Sequence, residues 1–216
     1  DAAFFRSPRA PQHVLFEYYW YPVAPFDRFP ASNDGPSWFE VLARYRIAHV
    51  GRELLVFTRR PAPRHLERLP LVERRVGWNE EITLPQADNA LLWANLEIAD
   101  TARGKLAELV YKRPRVFMEI RTSAGRRETH ALVPRMAAAG FLISPLVASS
   151  DDLAAIAAAV GRGNGADALE RVESIRLRVE DDRQGYFAGE IQLHVAQGPL
   201  GFQGESDACA EAERLL

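Results

Sequence analysis

Five stretches of the chain alternate apolar and polar residues with a period of two. Leu92, Ala94, Leu96 and Ile98 interleave with Trp93, Asn95 and Glu97, and Val116, Met118 and Ile120 interleave with Phe117, Glu119 and Arg121. Ile175, Leu177 and Val179 alternate with Arg176 and Arg178; Ile191, Leu193 and Val195 alternate with Gln192 and His194. A weaker version runs from Thr129 to Val133. Successive side chains of a strand point to opposite faces, so each stretch predicts a strand with one buried and one wet face. Half-wet strands belong to antiparallel sheets, whereas parallel sheets bury both faces. The expected fold is mainly β with helices: an antiparallel jelly-roll-like β-sandwich preceded by a small α/β part. Such a scaffold is expected to bind more than to catalyse.

Punctuation divides the chain into residues 1–62 (the small α/β part), 71–197 (the sandwich) and a tail, 198–216. The first part holds an apolar run at Val14–Phe16, aromatics at Tyr18–Tyr21, and a loop through Pro22, Pro25 and Pro30. Asn33-Asp34-Gly35-Pro36 is a turn signal. Ser37 and Glu40 then have the spacing of a capping box that opens a short helix. Residues 44–50 and 53–59 flank Gly51-Arg52 as a hairpin. Pro61, Pro63 and Pro70 mark a linker, and the sandwich is expected to begin near Leu71, with an early strand at residues 81–84. Helical character at residues 101–111 interrupts the strands, with Leu106, Leu109 and Val110 on one side. Ser123-Ala124-Gly125 predicts a second hairpin turn, and residues 140–145 an extended segment ending at proline. Ser149–Asp152 place cap oxygens and negative charge before an Ala-rich helix ending near Val160.

The 216 residues supply ample apolar content for a real core. A formal charge of -2 gives no strong pull toward nucleic acid or an anionic membrane, and no nucleic-acid partner is expected. Lys105 and Lys112 are the two lysines among 27 basic residues; arginine supplies the rest. That bias suits anion recognition or a GC-rich genome. Cys209 is alone, which excludes an intrachain disulfide and a Cys-based metal site. No run of about 18 apolar residues exists to span a bilayer, and no signal peptide is visible.

Catalytic and metal-binding motifs are missing. Gly161, Gly163 and Gly165 follow a helix instead of opening one, so they predict a connector and not a phosphate loop. His13, His49, His65, His130 and His194 lie far apart, without metal-site spacing, and His130 and His194 are expected on outward strand faces. No cofactor is called for. Asp151 with Asp152, or Asp27 with Asp34, are the carboxylate pairs that a carbohydrate-active enzyme could use if a cleft set them face to face.

The remaining chemistry is aromatic. Trp93 alternates onto the predicted wet face with Asn95 and Glu97. A ring flanked by amide, carboxylate and arginine is what sugar binding requires. Phe117, Arg121, Arg176 and Arg178 would join that face if the strands pair suitably. If helices 101–111 and 150–160 cover the face instead, Trp93 becomes core.

Phe29–Pro36, leading into Tyr45–Phe57, resembles soluble regions of bacterial polytopic membrane proteins similar to the GT-C glycosyltransferases. Tyr111–Ile120, Leu132–Met136 and Gly140–Pro145 look like the extracytoplasmic domain that follows the spans in some of them. The resemblance implies a periplasmic or extracytoplasmic location, tethered to a transmembrane domain upstream of this fragment. No residue here matches the family's catalytic acid. The expectation is a non-catalytic accessory domain with a glycan as ligand, a carbohydrate-active enzyme and a structural or assembly domain being the alternatives.

Overall fold

The computed structural model describes residues 2–17, 28–51, 54–86, 90–110, 113–162 and 169–199. The aromatics at 18–21, Pro22, Pro25, Asp27, Gly163, Gly165, Cys209 and the tail from residue 200 lie outside them. In chain order the elements are α1 (Ala2–Arg6), β1 (His13–Glu17), α2 (Gly35–Arg44), β2 (Tyr45–Val50), β3 (Leu54–Arg59), β4 (Leu69–Gly77), β5 (Glu81–Thr83), β6 (Ala90–Glu97), α3 (Ala102–Val110), β7 (Val116–Thr122), β8 (Arg127–Leu132), α4 (Pro134–Ala139), β9 (Phe141–Ser144), α5 (Ser150–Arg162), β10 (Val172–Val179) and β11 (Glu190–Pro199).

All three sheets are antiparallel. An N-terminal sheet has the order β1-β3-β2; a front sheet, β5-β10-β7-β8; a back sheet, β4-β11-β6-β9. The strong alternating stretches became β6, β7, β10 and β11, the inner strands of the last two sheets. Their apolar sets meet in a sandwich-like arrangement: Val116, Met118, Ile120, Ile175, Leu177 and Val179 from the front, Ala94, Leu96, Ile191, Leu193 and Val195 from the back, all buried. Phe29, Tyr45, Leu55 and Phe57 belong to the same continuous core, so the N-terminal elements share it. α5 buries Leu153, Ile156, Ala159 and Val160, a helical spacing, and packs on β2 and β3.

β4 pairs with β11 as far as Leu69↔Gln197. Three local expectations change. α2 starts at Gly35 behind Asp34, which takes a left-handed conformation (φ +55°), so Ser37 lies inside the first turn and not at the cap. Its hydroxyl makes no hydrogen bond, and Glu40 turns instead to Arg44 (2.7 Å) and Arg6 (3.3 Å). The box forms at α5: Ser149 Oγ accepts from Asp152 N (3.1 Å) while Asp152 Oδ2 accepts from Ser149 Oγ and Ala148 N. His130 faces inward: on β8, Arg127 and Thr129 take the exposed positions, which leaves His130 and Leu132 buried.

Candidate functional site

The seven residues expected on the ligand face split three and four. Trp93, Asn95 and Glu97 are on β6 in the back sheet; Phe117 and Arg121 (β7) and Arg176 and Arg178 (β10) are in the front sheet. β6 pairs with β11 and β9 and never with β7 or β10, so the two groups occupy outer faces on different sheets.

On the back sheet Trp93 is 1% exposed, and its role as an open platform is corrected to core. The cover differs from the one expected. Phe39 of α2 meets the indole edge to face at 5.4 Å, and the Arg68 guanidinium lies 4.4 Å from the Phe39 ring centre and 5.5 Å from that of Trp93. Burial lowers the pKa of Arg68 and the nearby Glu40 carboxylate opposes that shift. Neither α3 nor α5 takes part: α3 packs near residues 184–186 and α5 on the N-terminal sheet. Asn95 donates from Nδ2 to the Ala138 carbonyl at the end of α4 (3.1 Å), which leaves Glu97 exposed at the far end of the strand.

The front sheet keeps its polar face in water. Cross-strand register aligns Glu81, Arg176, Glu119 and Thr129 in one row and Arg178, Phe117 and Ala131 in the next. Arg176 reaches Glu81 (3.5 Å), which also receives Arg121 (3.6 Å) and the Ser174 hydroxyl (2.9 Å). Arg178 pairs with Glu119 at 2.7 Å and lies over the half-buried Phe117 ring, 5.1 Å from its centre. The Arg121 Nε is buried without a hydrogen bond, its nearest carboxylate contact being Glu173 at 3.7 Å. Arg127 sits directly opposite Arg121 across β7 and β8. A depression of ≈ 280 Å³ on this face is lined by Glu81, Glu119, Arg121, Arg127, Thr129, Ser174 and Arg176, with Phe117 and Arg178 outside its lining.

Glu81, Arg127, Thr129 and Ser174 were missed as members of this face. The Ser123–Gly125 turn could have supplied Arg127 and Thr129, because a hairpin centred on Ala124 sets Arg121 against Arg127 and Glu119 against Thr129. Nothing in the local sequence announces that Glu81 lies beside Arg176.

The carboxylate pairs have structural employment. Asp152 caps α5, Asp151 is exposed on its first turn, and the Asp34 carbonyl accepts from Ser37 N (2.8 Å) within the turn. Asp27 lies outside the described residues. Among the described residues no three His, Cys, Asp or Glu side chains are placed to hold a metal ion, and no helix is long and apolar enough to cross a membrane. Comparison of this chain with protein families, with curated proteins and with solved structures finds no match.

Proposed function

We propose that the chain is a non-catalytic extracytoplasmic module that binds glycan on the outer face of the front sheet. The observation that carries this reading is the Phe117 ring beneath Arg178, which pairs with Glu119, on the same open sheet face as a depression lined by Glu119, Arg176 and Arg121. Sugar C–H faces stack on rings while hydroxyls take charged and amide partners, and this face offers both within one strand spacing. Like charges directly opposite across strands are unfavourable. A carboxylate or phosphate on the glycan would relieve that at Arg121 and Arg127, so acidic glycans are the favoured class.

Strand order supports a jelly-roll reading of the sandwich: consecutive strands from β4 to β11 change sheet at every step except the β7–β8 hairpin. The elements before β4 correspond to the small α/β part. Likeness of Tyr45–Phe57 and Tyr111–Ile120 to GT-C-type membrane proteins supports the extracytoplasmic, membrane-tethered location.

Isothermal titration against neutral and uronate-bearing envelope glycans tests the reading. Heat with an acidic glycan is expected, and Phe117→Ala should weaken the affinity by about tenfold, the worth of one stacked ring. No heat with any member of the panel would reject glycan binding and leave a structural role.

A further inference from the structure

α3 presents an apolar stripe to solvent. Leu106, Leu109 and Val110 are 63%, 85% and 76% exposed, values at which a soluble surface would ordinarily carry polar residues. At about 100° per residue, Leu109, Ala102, Leu106 and Val110 fall within an arc of about 100°. Lys105 flanks that arc on one side and Arg103 on the other, both exposed. Diametrically across lies Gly104, the buried residue of the helix, whose missing side chain admits the Tyr186 carbonyl oxygen. The helix is therefore fixed with its apolar side away from the protein.

Its anchoring is specific. Thr101 Oγ1 donates to the Gly185 carbonyl (2.9 Å) and accepts from Gly104 N (3.2 Å). Arg103 lies over the Tyr186 ring at 4.5 Å. Glu108, the one acidic residue of the helix, is turned to Arg113 (3.4 Å), which also grips both oxygens of Asp100 (2.9 and 2.8 Å). The apolar arc is thus edged by cations and its single anion is neutralised. Lys105, one of the two lysines in the sequence, lies on this helix.

We infer that α3 is a contact helix for an anionic bilayer surface, its leucines and valine entering the headgroup boundary while Lys105 meets lipid phosphates. An apolar stripe edged by cations suits that surface, whereas a second copy of this chain would set cation against cation. The inference deepens the membrane-side location proposed above and is independent of glycan binding, so failure of one measurement leaves the other standing.

Co-sedimentation with vesicles at millimolar lipid tests it. Binding is expected to equimolar phosphatidylglycerol and phosphatidylcholine, and much less to phosphatidylcholine alone. Leu106→Ser with Leu109→Ser should lower the partition at least tenfold. Lys105→Gln, at an exposed position, should lower it about fivefold on anionic vesicles, as expected for about one unit of surface charge, and raised salt should do the same. Three results would each overturn the proposal: no binding to anionic vesicles, binding unchanged in both variants, or a dimer in sedimentation velocity that the leucine variant dissolves.

Discussion

On the front sheet Arg176 and Arg178 stay in water beside Glu81 and Glu119, while on the back sheet the equivalent outward position on β6 holds a tryptophan sealed beneath Phe39 and Arg68. Both sheets came from the same period-two pattern. What separates them is the rest of the chain: α2 and α4 lie against β6 and β9, and the described residues place no helix over β7 and β10. Alternation therefore identifies two faces per strand, and the covering elements decide which polar-looking face is wet. The charges carry the same message, since β7 and β10 hold ion pairs at their outward positions where the covered strand β6 holds a ring and an amide beneath α2 and α4.

Substitutions on the two faces should separate cleanly. Trp93→Ala, emptying the space under Phe39, should cost about 3–5 kcal/mol, read as a fall in the denaturant midpoint at unchanged m-value. A loss under 1 kcal/mol would mean the back face is open after all. Asn95→Ala removes the bond that ties β6 to α4 and leaves the Ala138 carbonyl without that donor, an effect of about 1 kcal/mol in the same unfolding experiment. Arg176→Ala breaks a partly exposed ion pair and should shift stability by no more than about 0.5 kcal/mol. Its consequence belongs in the glycan titration, where a weakened affinity beside an unchanged melting curve would mark the front face as a binding surface and not a structural one.

How far the residues alone reached follows from the range of each interaction. β6, β7, β10, β11 and the helices α3 and α5 were legible because period and cap signals are local. The hairpin turn at Ser123–Gly125 even contained the register that sets Arg121 against Arg127. Strand neighbours were not legible: whether β6 would lie beside β7 depends on sheet order, and that is settled by packing across more than a hundred residues. Ser37 and Glu40 show the opposite failure, a correct local spacing displaced because Gly35 and Pro36 begin the helix earlier. His130 was assigned outward for want of the same information, since its neighbour across β7, Met118, is core.

Asp100 and Arg113 stand at the two ends of the α3 excursion and hold each other by a paired hydrogen bond. The segment between them is in effect a pinched-off loop, with β6 and β7 leaving the neck already aimed at their own sheets. Such a neck uncouples residues 102–110 from the strand registers, so a change confined to this helix can alter what the chain touches there without re-registering a single strand.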